Sequence, residues 1–276
     1  NLYSYPSDKP FIWTQGRQVG GRSLTWGGIT LRLSDNEFKA ARKDGFGPEW
    51  PIEYKELEQH YSSIEKRLRI HGQRDGLTQL PDGDFIPPLP FTSSEERFGK
   101  SVKSLLGYPF IHSRGFGPNK PIVSNSWPAF SSPGSTLKTA IQTGNVDILT
   151  NHIVESLIMN NERTLASGVL VLDKSNGNRK KISSSPIVIC ASTIQTIRLL
   201  LNSEESIQQD GFIDPSGKLG HNLMDHISIC RFFSLPIDKK SSYVNESSEK
   251  DILSGAGSFF IPFGNNFENA AKPNFK

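Results

Sequence analysis

The stretch "PIVICASTIQTIRLLLNS" (186–203) constrains the fold more than any other part of the chain. Its first part, "PIVICAS", is a continuous apolar run, as in a strand buried on both faces. It passes through small residues into "TIQTIRLLLNSE", where apolar residues recur at helical spacing. A buried strand, a tight turn and then a helix make the βα unit of an open parallel sheet. The 276 residues suffice for one large domain or two smaller ones. With 35% hydrophobic and 21% charged residues, the composition is that of a globular chain rather than a disordered or membrane one.

The segments before this unit read in both periods. "NVDILTN" (145–151) reads as a strand, and "HIVESLIMNNERTLASGVLVLDKSNGNRKKISSS" (152–185) as antiparallel strands turning at Asn160-Asn161 and Ser175-Asn176-Gly177. "STLKTAIQTG" (135–144) reads as a short capped helix. In "EWPIEYKELEQHYSSIEKRLRIHG" (49–72), Leu57, Tyr61, Ile64 and Leu68 fall at three- and four-residue spacing, and Gly72 stands as the stop. Ser34 or Asp35 caps a shorter helix ended by Gly45 and Gly47. Residues 96–107 read as another helix, ending at Gly107. Residues 73–95 and 108–134 are rich in Pro, Gly, Ser and Asn and read as irregular. Such stretches are uncommon in a compact domain unless they line or cover a site. "GSFFIPFGNNF" (257–267) reads as a strand.

Lys plus Arg is 31 against 28 Asp plus Glu, with no long basic run. Arg179-Lys180-Lys181 and Lys239-Lys240 read as solvated turns, so nucleic-acid binding is not expected. Cys190 and Cys230 lie in apolar runs and read as buried free thiols. No apolar run approaches the ~20 residues of a membrane helix. His60, His71, His112, His152 and His221 have no partner at metal-ligand spacing, and no metal is expected.

A second feature carries chemistry. "QVGGRSLTWGGITLRL" (18–33) holds two glycine pairs, Gly20-Gly21 and Gly27-Gly28. Paired glycines let backbone approach a ligand, and successive N–H groups can seat phosphate oxygens or an electron-rich ring edge. Ser23 adds a hydroxyl and Trp26 an aromatic wall. Taken alone, the motif reads equally as a surface turn with Trp26 as its core anchor.

Other segments join it in order: "EWPIEYKELEQHYSSIEK", "VDILTNHIVESL", "IVICASTIQTIRLLLNS" and "GKLGHNLMDH" (217–226). Together they resemble the glucose–methanol–choline (GMC) family of flavin oxidoreductases, over residues 15–228. "R-x-x-GG-x-S-x-x-W-GG" resembles the family's flavin-contacting loop. "ICASTIQTIRLLLNS" resembles its strand–helix "AAGA-x-x-[ST]-x-x-LLL-x-S", and "GHNLMDH" its "G-x-NL-x-DH". The resemblance implies an α/β (α+β) architecture: a Rossmann-like FAD-binding domain with an antiparallel β-meander, then the start of a substrate domain with a mixed or antiparallel sheet. It assigns 1–72 and 135–226 to the FAD-binding domain. It makes 73–134 an irregular substrate or lid segment and 227–276 the truncated start of the substrate domain.

It also implies cofactor contacts. Gly20, Gly21 and Ser23 would meet the pyrophosphate and ribityl side of FAD. Trp26, Gly27 and Gly28 would run under the isoalloxazine, with Thr25 beside them. Val154 would face the adenine through its backbone, and Ala191 and Ser192 would form the tight turn next to the cofactor. Some branches of the family tether flavin to the His of a Thr-His-Trp triplet. The triplet here is Leu24-Thr25-Trp26, so non-covalent FAD is expected. Asn222, Asp225 and His226 fit a turn held by side-chain-to-backbone bonds better than a catalytic role.

The family's strand–GxGxxG–helix is expected before residue 1. Its catalytic His, with a His or Asn partner, is expected beyond residue 276. The chain is therefore expected to be an internal piece with no catalytic residue of its own, which alone neither holds FAD tightly nor turns over. The implied reaction oxidises a CH–OH group of an alcohol or sugar by hydride transfer to flavin, with oxygen, a quinone or a cytochrome as acceptor. The sequence assigns no compartment and no oligomeric state. A truncated or degenerate binding or assembly module is the alternative. A serine hydrolase using Ser23 or Ser192 is a third reading, although neither serine has the Gly-x-Ser-x-Gly context.

Overall fold

The computed structural model describes residues 4–11, 13–45, 47–88, 90–91, 93–117, 127–204, 211–221, 223, 225, 228–231 and 259–263. The chain divides into two units, one of residues 1–146 with 236–276, the other of residues 147–235. In chain order the elements are α1 (Asp35–Phe38), α2 (Ala40–Asp44), α3 (Tyr54–Leu68), β1 (Ile70–His71), α4 (Ser93–Leu106), β2 (Ile111–His112), β3 (Gly115–Phe116), α5 (Thr136–Gln142), β4 (His152–Met159), β5 (Ala166–Asp173), β6 (Arg179–Ser183), α6 (Thr193–Leu201) and β7 (Phe259–Phe260). Helices are mixed with antiparallel sheets.

In the first unit, α1 begins where its sequence says it should. Ser34 Oγ accepts from the Asn36 N–H at 3.1 Å, and the Glu37 carboxylate accepts from the Ser34 N–H at 2.6 Å. This reciprocal box satisfies donors that a helix start leaves open. α2 stops at Gly45. α3 ends at Arg69 rather than Gly72, because the Arg69 N–H closes on the Glu65 and Lys66 carbonyls. Gly72 instead pairs with Ile86 beyond β1, its N–H donating to Ile86 O at 2.9 Å. It packs so tightly there that a Cβ would stand 3.0 Å from Phe85 Cγ. α4 starts a few residues before the expected position. α5 forms, but Ser135 does not cap it through its side chain; its Oγ donates to Ser131 O at 2.7 Å.

β1 pairs with β3, and β2 with β7, both antiparallel. Of the strand read at 257–267, Phe259–Phe260 pairs and most of the rest lies outside the described residues. Phe38, Ile70, Val102, Ile111 and Phe116 are buried around these elements. Two arginines are buried with them. Arg32, 4% exposed, donates from Nε and Nη2 to the two Glu65 oxygens at 2.8 and 2.6 Å, and from Nη1 to Tyr54 OH at 2.7 Å. Burial works against the charge, but the bonds to Glu65 and Tyr54 outweigh it and hold the guanidinium protonated well above its usual range. The Asp84 N–H also donates to Glu65, at 3.0 Å. The carboxylate thus ties α3 to the 82–86 segment.

The second unit is built on one three-stranded antiparallel sheet, β4-β5-β6. Its turns fall at 160–165 and 174–178, as the meander reading expects. α6 is tied to β4 by Ser203, whose Oγ accepts from the Leu157 N–H at 2.8 Å and donates to Leu199 O at 2.6 Å.

Three expectations are corrected. Residues 145–149 form no strand; Val146, Ile148 and Leu149 are exposed and the ladder begins at His152. Residues 187–190 form no strand either, and Val188 is 80% exposed. An extended segment becomes a strand only when a neighbour takes its N–H and C=O groups, and no described strand pairs with this one. The helix half of the βα unit is present, while every named strand pair is antiparallel. Cys190 and Cys230 are exposed rather than buried. For Cys190 the reason is the same: an apolar run buries its side chains only inside a sheet. No described helix is long and apolar enough to cross a membrane.

Candidate functional site

The glycine loop is a short 3₁₀ turn, Gly21–Leu24, entered through Gly20 at φ 96°. That angle lies where side chains are disfavoured. Space forbids one as well, since a Cβ on Gly20 would stand 2.7 Å from Pro133 Cγ. The Ser23 hydroxyl bonds inward, donating to Gly20 O and accepting from the Ser132 N–H at 3.0 Å. Arg22 braces the outer side, with Nη1 donating to Thr14 O at 2.8 Å.

Trp26 is fixed in orientation. Its Nε1–H donates to Phe130 O at 3.0 Å, and its ring meets Phe116 edge-on at 5.8 Å between centroids. It still keeps 39% of its surface exposed. The segment leaving the loop is clamped to β3: the Phe116 N–H donates to Gly28 O and the Thr30 N–H to Arg114 O, both at 2.9 Å. Thr25 and Gly27 are exposed, and Gly28 is buried. A methyl on Gly21 or Gly27 would meet nothing nearer than 4.0 Å. Open space at Gly21 and Gly27 beside an oriented, exposed indole suits a flat ring, while the Gly21, Ser23 and Thr25 N–H groups are already spent on the Gln18, Gly20 and Arg22 carbonyls. The residues fit such a cofactor.

Gly20, Ser23, Trp26 and Gly28 thus converge on one support made of 127–135 and β3. Phe116, Phe130 and Ser132 were not singled out from the sequence. The signal available was that 108–134 is too long and irregular to be an idle connection.

Val154, Ala191 and Ser192 belong to the other unit. Val154 sits on β4 opposite Val171, 44% exposed, beside a bulge. Ala191 and Ser192 are exposed at the start of α6. Ser192 takes φ 69° and ψ 162° and does not cap α6 through its side chain. A non-glycine residue held there costs on the order of 1–3 kcal/mol, and such strain gathers at functional turns. Asp225 is exposed; Asn222 and His226 lie outside the described residues.

The turn before "GHNLMDH" is held by Asp214. Its carboxylate accepts from the Ser216 hydroxyl at 2.7 Å and from the Ser216 and Leu219 N–H groups at 2.9 Å each. The Ser216 hydroxyl above all, then the backbone N–H groups, hold its pKa down at about 2 from an ordinary 3.8. The turn's contribution to stability is therefore complete above pH ~4 and lost as pH falls through about 2. NMR titration of the Asp214 carboxyl should find its midpoint near 2. A midpoint at the ordinary value would mean the turn is not held this way.

Among the described residues no three His, Cys, Asp or Glu side chains are grouped as a metal site. What the fold presents is a mixed helix-and-sheet chain with a glycine loop set beside an exposed, oriented indole. The sequence profile of the GMC oxidoreductases matches residues 115–228. The chain is 28% identical to a 2-methyl-1,2-propanediol dehydrogenase of Mycolicibacterium austroafricanum, over 76% of this chain and 40% of that protein. It is 24% identical to the fructose dehydrogenase large subunit of Gluconobacter japonicus, over 76% of this chain and 41% of that one. It is also 24% identical to a glucose dehydrogenase [FAD, quinone] of Drosophila melanogaster, over 78% and 36%. Over these residues the chain is similar to GMC oxidoreductases. It spans about two fifths of the length of the curated relatives it matches.

Proposed function

We propose that this chain is part of an FAD-dependent oxidoreductase that oxidises a CH–OH group of an alcohol or sugar. The observation that carries the reading is the glycine loop, where open backbone at Gly21 and Gly27 flanks an indole fixed by Phe130 and Phe116. The names of the relatives, dehydrogenases of a diol, fructose and glucose, support the substrate class. Bound FAD would supply the two-electron acceptor for the hydride.

The residues of this chain have binding and orienting roles in this reading. Gly21 and Gly27 leave room for the cofactor at the main chain, while Gly20 and Gly28 let the loop pack against Pro133, Phe116 and Phe130. Ser23 sets the turn, Trp26 backs the ring and Thr25 lies beside it. Val154, Ala191 and Ser192 supply the adenine side from a Rossmann-like part, and the strain at Ser192 supports that assignment. Residues 73–134 border the substrate, and 227–276 begin the substrate domain. Oxygen, a quinone or a cytochrome would take the electrons.

The full-length protein that contains this chain, purified, should show flavin absorption that passes into the supernatant on acid precipitation, because Thr25 offers no nitrogen for a covalent link. Colour retained in the pellet would overturn the non-covalent assignment. A protein that stays colourless after incubation with FAD would overturn the oxidoreductase reading and favour a binding or assembly module.

A further inference from the structure

Two cavities in the first unit share a wall. One, of about 510 Å³, is lined by Arg32, Ser62, Lys66, Arg74 and Asp84 among others. The other, of about 680 Å³, includes Lys66, Arg69, Arg74, Asp84, Phe85 and Pro87. Lys66, Arg74, Gly83 and Asp84 border both, so the two are ends of one groove beside the last turn of α3.

In the larger end, three cations and one carboxylate share the lining. Asp84 lies between Lys66 Nζ and Arg74 Nη2, each 3.0 Å from one of its oxygens. Arg69 is the third cation, and among the described residues no hydrogen bond or ion pair engages its guanidinium. Phe85, Ile86, Pro87 and Pro88 add an apolar stretch to the same lining.

Arg69 is also conformationally odd. It stands at φ 57° just past α3, the position where helices favour glycine. Helix termination alone would be better served by Gly. Arg69, Arg74 and Lys66 are all exposed to solvent, so the Arg69 charge, held in a conformation that costs energy and without a protein partner, is open to an anion from solution.

We propose that this groove binds a small organic anion: a phosphate or carboxylate joined to an apolar or ring body. The anionic group lies on Arg69 and Arg74, whose planar guanidinium forks match both chemistries. The body lies against Phe85–Pro88. Asp84 is the internal competitor for the same cations. The site is separate from the glycine loop and does not depend on what that loop binds.

The test titrates phenyl phosphate, benzoate and neutral benzamide into the native protein, followed by calorimetry at low and high salt. Saturable binding of either anion, weakened by salt and absent for benzamide, is expected. Whichever anion binds more tightly names the ligand chemistry. Arg69→Gly should weaken that binding at least tenfold while raising Tm, which separates lost binding from lost folding. Asp84→Asn should strengthen it several-fold. No saturable binding of either anion, equal binding of benzamide, or unchanged binding in Arg69→Gly would overturn the proposal.

Discussion

Arg114→Met is expected to cost about 3–5 kcal/mol, the loss seen when one partner of a buried ion pair is removed. Arg114 is fully buried. Its Nη1 donates to the Leu80 and Pro81 carbonyls at 3.1 and 2.6 Å, and its Nη2 to Asp75 and Asp82 at 2.9 and 3.0 Å. Methionine would keep the packing against Phe85, over whose ring the guanidinium lies at 5.0 Å. It would leave the Asp75 carboxylate, only 6% exposed, without its cation. Urea unfolding should show the loss, with Tm falling on the order of 10 °C. Adding Asp75→Asn should recover about 1–2 kcal/mol by removing the stranded charge. If the double variant is no more stable than the single one, the guanidinium is acting as a packing residue and not as the counter-charge of the 75–82 loop.

This arginine also shows where sequence reading stops. A lone Arg in "HSRGFG" reads as surface, because burial of charge is visible only once its acceptors are known. Those acceptors lie 32–39 residues upstream in "DGLTQLPDGD", which reads as irregular loop. Arg32 is hidden in the same way, since Glu65 looks like any charged position on α3. Local signals survive better. The Ser34 box, α6 and the turns of the meander depend on neighbours within a few residues, and all are present. The strand readings at 145–151 and 187–190 fail because a strand needs a partner that no local pattern supplies. Within the site, the two glycine pairs and Trp26 stand out in the sequence. The clamp that orients them, Phe130, Ser132 and Phe116, comes from about ninety or more residues away and becomes apparent only in the fold.

The clamp makes Gly115→Ala the other substitution of large effect. Gly115 faces Ile29, with the bonds from Phe116 to Gly28 and from Thr30 to Arg114 on either side of it. A Cβ on Gly115 would stand 2.2 Å from Gly28 O and 3.1 Å from Ile29 Cα. Both neighbours are backbone, so no rotamer change relieves the clash. The segments must part, and the flanking bonds stretch with them. A loss of about 3 kcal/mol is expected, the upper part of the usual overpacking range. The effect should reach the glycine loop, because Trp26 rests on Phe116, the next residue. The Trp26 indole N–H resonance should shift toward its solvent-exposed position as the bond to Phe130 O loosens. Gly45→Ala is the control. Gly45 also has a positive φ, 69°, but a Cβ there meets nothing within 4 Å, so only the conformational cost of about 1 kcal/mol applies. If Gly115→Ala costs no more than Gly45→Ala and leaves the indole signal in place, the close approach of Gly28 to Gly115 is not what seats the loop.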